Sequence, residues 1–184
     1  MNPKETDGAT IPCSMTFYKR AKALYDSDYE DDRIITLRGL ILLGRYGEET
    51  GDVTKNVFYW NGLATTMAQG SGVHRSGEKA RLPRSDKRLR KRIRWTLFTR
   101  DRLVAVALGR LIHINTNDCD VAMICEEDFL DDDEGYAAEY CPDPVHVQFF
   151  IQYVSLCKIM SLILLHEHPT TAIAPMFLCN VTEP

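Results

Sequence analysis

An all-α fold, assembled from antiparallel helical pairs, is what this sequence predicts, and three observations lead there. Apolar residues recur at three- and four-residue spacing in several separate segments. Nowhere do apolar and polar residues alternate with the period of two that marks a strand. Joints rich in Gly, Pro and Asp divide the periodic segments. At 184 residues, 45% hydrophobic and 26% charged, the chain is long enough to bury a core and has the composition of a folded domain. The expected organisation is a flexible N-terminus over 1–14, a helical body over 15–168 and an irregular tail over 169–184, which shows no period.

The first helix is expected from Met15 to Asp26, with Phe17, Tyr18, Ala21, Leu24 and Tyr25 as its apolar positions. The run Asp26-Ser27-Asp28-Tyr29-Glu30 is turn chemistry, and Asp31 or a near neighbour opens the next helix, about Asp32 to Gly44. Its Ile34, Ile35, Leu37, Leu40, Ile41, Leu42 and Leu43 cover nearly every side, which predicts an element in the middle of a core. Gly44, Gly47 and Gly51 should break it. Asp52 then serves as an N-cap for a third helix whose Val53, Val57, Trp60, Ala64 and Met67 form one stripe, ending at Gly70-Ser71-Gly72. Core packing explains that stripe better than a cofactor site.

The stretch from Pro83 to Asp120 is the centre of the chain. Ser85 is a candidate N-cap and Asp86 sits in the first turn, where a negative charge suits the helix dipole. Leu89, Ile93, Leu97, Val104 and Leu108 follow at helical spacing, and Gly109 stops the run. Asp101 falls on this stripe, where a buried carboxylate is costly unless bonded. It is therefore expected to be buried, bonded to Arg110 or to backbone amides of the following loop, and to hold 109–120 against the helix. A last helix starts at Asp143-Pro144, an N-cap followed by Pro, and runs through Val145, Phe149, Gln152, Tyr153, Leu156, Met160 and Ile163 to about His166. Gln152 and Lys158 within it argue against a membrane span. Met1 is followed by polar residues, so no signal peptide is expected.

Charge is unevenly placed. From Arg75 to Arg102 there are twelve Lys/Arg against three acids; from Asn117 to Glu139 there are ten acids and no base. Segments of opposite sign this close in sequence are expected to lie against each other. The basic cluster Arg84, Lys87, Arg88, Arg90, Lys91 and Arg92 reads otherwise as a patch for nucleic acid or nuclear import. The six cysteines, Cys13, Cys119, Cys125, Cys141, Cys157 and Cys179, contain no C-x-x-C pair, and reduced thiols with no metal site are expected. There is no G-x-S-x-G, phosphate loop or H-E-x-x-H. The run Asp131-Asp132-Asp133-Glu134 suits Mg²⁺, and it carries the alternative reading of an all-α metal-dependent enzyme acting on a diphosphate.

The run RIRWTLFTRDRLVAVALGRLIHINTNDCDV resembles the fungal-specific transcription factor domain, the helical middle homology region found downstream of a binuclear zinc cluster in fungal regulators. The positions that carry the resemblance are Arg92, Arg94, Trp95, Phe98, Asp101, Arg102, Gly109, Arg110, Asp118 and Asp120. Upstream, ALYDSDYEDDRIITLRGLILLGRYG and VFYWNGLATTMAQGSGVHR are also similar, most of all to the cutinase transcription factor subgroup, so the resemblance spans about Ala21 to Leu165. Leu111 stands where the family has a proline after Gly-Arg, and the six-cysteine cluster has no counterpart here. The resemblance implies a fragment of a larger helical regulatory domain. Such a fragment acts in the nucleus without catalysis on RNA polymerase II transcription. Its implied partners are other domains of the regulator, co-regulators or a second copy, with no membrane. Zinc and promoter DNA belong to a DNA-binding domain outside this chain, which itself holds no cofactor.

Overall fold

Among the described residues there are five helices, and each packs on its neighbour in the chain. The computed structural model describes residues 14–46, 56–77, 81–130 and 142–167. No strand occurs among the described residues, so the all-α expectation holds.

Helix α1 (Ser14–Asp26) buries no residue fully. It is held by Tyr18 and Tyr25, whose rings meet Trp60 edge-on at 6.5 and 6.0 Å, and Trp60 donates its indole N–H to the Tyr18 hydroxyl at 3.2 Å. Helix α2 (Arg33–Tyr46) is capped by Asp32, whose Oδ1 accepts from the Ile34 amide at 2.7 Å and the Ile35 amide at 3.2 Å. Its inner face is Leu37, Leu40 and Leu43, all buried. The expectation of a helix buried all round is corrected here: Ile35 and Leu42 are exposed, so one side of α2 is left uncovered among the described residues. Gly44 does not break this helix. It lies inside it and is buried, and a Cβ there would come 3.4 Å from Cβ of Trp60, so the missing side chain lets α3 approach.

Helix α3 (Val57–Gly70) is capped by Asn56, whose side-chain oxygen accepts from the Phe58 and Tyr59 amides at 3.0 and 3.2 Å. The expected start near Asp52 is thereby moved; Gly47, Gly51, Asp52 and Val53 themselves lie outside the described residues. Val57, Trp60 and Ala64 of the expected stripe face the core. Helix α4 (Arg84–Leu108) begins behind Pro83 with no side-chain cap, so Ser85 lies in the first turn and is not the N-cap. It ends as expected at Gly109, whose φ of 59° is the left-handed conformation that closes a helix end, with the Arg110 amide donating to the Ala105 carbonyl at 3.0 Å. The segment 110–130 wraps back over α4 with two short 3-10 turns, Thr116–Asp118 and Glu126–Phe129.

Helix α5 (Pro144–Glu167) starts where Asp143 accepts from the Val145 amide at 2.8 Å. One face, Val147, Val154, Cys157 and Ser161, is buried on the side that packs against α4. By length and composition, 144–164 is nevertheless apolar enough to cross a membrane, so Gln152 and Lys158 alone do not exclude it. The core itself joins Leu37, Leu40, Trp60, Leu97, Phe98 and Val154 across four helices. The flexible-terminus and irregular-tail expectations fall on residues outside those described, except that Ser14 opens α1.

Candidate functional site

A carboxylate on the buried stripe of α4 needs donors, and the fold supplies five donor groups around Asp101, which is 1% exposed. Arg102 Nη1 donates at 2.7 Å, the Ile114 amide at 2.9 Å, the His113 amide at 3.0 Å, His113 Nδ1 at 2.9 Å and Asn61 Nδ2 at 3.2 Å. The ring contact puts the His113 proton on Nδ1. Burial alone pushes the Asp101 carboxyl up. The bonds from the His113 ring, from the His113 and Ile114 amides and the charge of Arg102 outweigh it, and the carboxyl lies below the ordinary carboxylate range. Every accepting position of the carboxylate is occupied, so Asp101 is no general base.

Arg102 is fully buried and carries the contact on to α5. Its Nε donates to Ser161 Oγ of α5 at 2.7 Å, and its guanidinium lies 4.3 Å over the Phe98 ring. The Ser161 hydroxyl in turn donates a hydrogen bond to the Cys157 carbonyl at 2.9 Å. The Asp101–Arg102 pair therefore joins α3, the 110–114 loop and α5 to one turn of α4.

Of the two partners expected for Asp101, the loop amides are the ones found and Arg110 is not. Arg110 lies 4.9 Å over the Phe58 ring, which the His113 ring also meets, 4.3 Å between centroids. A Cβ on Gly62 would stand 3.0 Å from His113 Nε2, so this glycine makes room for the imidazole. Asn61, His113 and Ser161 were not among the residues singled out from sequence. Each is a lone polar residue in an apolar run, and only the fold pairs them.

The basic cluster and the acidic stretch do meet. Lys91 Nζ lies 2.6 Å from Asp128 Oδ2, Arg88 Nη1 donates to the Leu130 carbonyl at 2.7 Å, and Asp120 accepts from the Ser76 amide at 2.5 Å. Burial favours a neutral Asp128, but bonds from Lys91 and from the Cys125 amide and thiol hold its carboxyl below the usual range. Arg90 donates to the Ser71 carbonyl at 3.0 Å. Arg94, which is buried, donates to Cys119 Sγ at 2.9 Å and faces the rings of Trp95 and Phe98. Trp95 donates to the Ala122 carbonyl at 3.0 Å. Arg84 and Asp118 are exposed, and Lys87 and Arg92 half-buried. Arg88 and Arg94 are buried, whereas Lys87, Arg90 and Lys91 line one surface pocket together with Arg75. Thr65 Oγ1, His74 Nδ1 and Arg94 Nη1 are buried without a hydrogen-bond partner among the described residues, and these residues line one cavity of about 20 Å³, large enough for a single water.

Among the described residues, no three side chains of His, Cys, Asp or Glu come together as a metal site would require. Cys119, Cys125 and Cys157 are free thiols. The run Asp131–Glu134 lies outside the described residues, as do Cys13, Cys141 and Cys179.

Comparison with known proteins agrees with the motif. Cutinase transcription factor 1 alpha of Fusarium vanettenii is 60% identical over 164 residues, covering 89% of this chain and 18% of that protein. Cutinase transcription factor 1 beta of the same fungus is 38% identical over 114 residues, covering 62% of this chain and 13% of that protein. The acetamidase regulatory protein of Aspergillus fumigatus is 31% identical over 163 residues, 88% of this chain and 20% of that protein. The chain thus spans a fifth or less of the length of these relatives. No solved structure matches it. With residues 4–170 matching the family model, the chain belongs to the fungal specific transcription factor domain family.

Proposed function

We propose that this chain is a regulatory, non-enzymatic module of a nuclear regulator of RNA polymerase II transcription. Its partners are other domains of such a regulator or co-regulator proteins. Promoter DNA and zinc belong to a separate DNA-binding domain. The observation that carries this reading is the use of the motif residues: Asp101, Arg102, Arg94 and Trp95 are all bonded within the chain, where they fasten loops and helices to α4. The names of the relatives, transcription factors and regulatory proteins, support the same reading. Fusing residues 1–184 to an unrelated DNA-binding domain upstream of a reporter tests it. Expression should change severalfold in either direction relative to the DNA-binding domain alone, and Asp101→Ala should cancel the change. Unaltered expression, or Mg²⁺-dependent turnover of a diphosphate by the purified chain, would overturn the proposal.

A further inference from the structure

Helix α4 buries more positive charge than its acids neutralise. Arg102 is paired with Asp101, but Arg94, 4% exposed, has no carboxylate within ion-pair distance among the described residues. Its Nε donates to Cys119 Sγ at 2.9 Å, and that sulfur donates in turn to the His74 carbonyl at 3.0 Å. A sulfur that donates carries its proton, so it brings no counter-charge. The rings of Trp95 and Phe98, 5.8 and 5.7 Å from the guanidinium carbon, ease the charge without cancelling it. A buried cation left in this state is costly. Three polar atoms stand at the same place. Arg94 Nη1, Thr65 Oγ1 and His74 Nδ1 are buried and unbonded among the described residues, and they come from α4, α3 and the joint between those helices. Their residues line the cavity of about 20 Å³, which Leu97 and Ile114 also border.

From these groups we infer that the cavity binds one small monovalent anion of the halide class, held by Arg94, Thr65 and His74. Arg94 Nη1 only donates, the Thr65 hydroxyl can turn its proton inward, and the His74 ring can carry its proton on Nδ1. The three thus converge as donors on a single centre. A water there would answer the hydrogen bonds and leave the Arg94 charge as it is, whereas an anion answers both. Asp118 also lines the cavity, but it is exposed, where solvent screens its charge. Size selects the class, because the space holds one atom-sized occupant and a phosphate, sulfate or carboxylate needs several heavy atoms' room. The three atoms are already shielded from solvent by this chain's own residues, so a side chain from another segment does not take the place of the ion. Bound there, the anion ties α3 and the joint that follows it to α4, beside the loop that carries Cys119.

Thermal unfolding of the 184-residue chain at one fixed ionic strength tests the inference, with sodium chloride exchanged stepwise for sodium gluconate, whose anion is too large for the cavity. For a Kd on the order of 10 mM, Tm should stand about 3–6 °C higher in about 100 mM chloride than in gluconate, and bromide should replace chloride. Thr65→Val removes one donor with little change of shape. In gluconate it should unfold no lower than the parent, because a buried hydroxyl without a partner is gone. Its response to chloride should shrink to about 1–2 °C, as a tenfold loss of affinity requires. Arg94→Met should lose the response altogether. Broadening of the chloride NMR signal by the folded parent, absent with Arg94→Met, should give the same result without unfolding. A Tm indifferent to the exchange of anions means that water suffices there and overturns the proposal. A chloride response that keeps its full size in both variants places the ion elsewhere and overturns it too.

Discussion

Asp101 holds three parts of the molecule through a single carboxylate, because donors from α3, α4 and the 110–114 loop converge on its two oxygens. Removing it leaves the Arg102 guanidinium buried without its counter-charge and two loop amides without acceptors. Asp101→Ala should therefore cost about 3–5 kcal/mol, on the order of 10 °C in Tm, read by thermal unfolding. A loss of a degree or two would mean that the carboxylate contributes little. The two glycines at positions 39 and 62 give a paired prediction. Space beside Gly39 is open, so Gly39→Ala should stabilise α2 by about 0.5–1 kcal/mol through helix propensity alone. At Gly62 the new methyl meets an imidazole that Asp101 holds through both ring and amide, so it cannot give way. Gly62→Ala should destabilise by about 1–3 kcal/mol despite the same gain in propensity. That Asp101 would be buried was legible in the sequence, because a carboxylate on an apolar stripe admits few other outcomes. Its partners were legible only in part: the loop amides expected are found, but the His113 ring and Asn61 carry no sign of what they face, and Arg110, the cation expected from beyond the turn, lies over the Phe58 ring.

At the scale of elements, helix starts and stops were readable where local chemistry decides them. Asp143-Pro144 opens α5 and Gly109 closes α4 because capping involves only a few adjacent residues. They were misread where tertiary packing decides. Gly44 looks like a breaker by propensity, yet it continues α2, because the missing side chain lets Trp60 come close and its carbonyl accepts from Arg100 Nη2 at 2.9 Å. The cap of α3 is Asn56, four residues beyond the Asp expected. Asn56→Ala should cost about 1 kcal/mol in chemical denaturation, since two amides lose their acceptor. The outer face of α5 repeats its apolar residues as regularly as the inner face. Periodicity alone could not say which side the body would cover.

For the molecule as a whole, the two carboxylates buried among the described residues tie stability to acid pH. Asp101 and Asp128 both have carboxyls held below the ordinary range in the folded state. The unfolded chain takes up protons on these groups near pH 4 while the folded chain still refuses them, so stability is full above that range and falls as the pH drops through it. Urea midpoints should stay level with respect to these two groups from about pH 5 upward and decline below about pH 4. In Asp101→Ala the decline should be shallower. A midpoint that rises on acidification would contradict the sign of both shifts.

Adjacent residues on a helix point about 100° apart, and the Asp101–Arg102 pair uses that divergence to engage the 110–114 loop through Asp101 and α5 through Arg102. The covering loop and the last helix are thus latched by neighbouring links of one chain, which restrain each other through a shared ion pair. Neither can lift away alone without exposing a charge that the other still encloses. Their opening should be a single event. In native-state hydrogen exchange, the amides of His113 and Ile114 and those of α5 around Ser161 should merge into one cooperative unit, and they should separate into two once Arg102 is replaced by Leu.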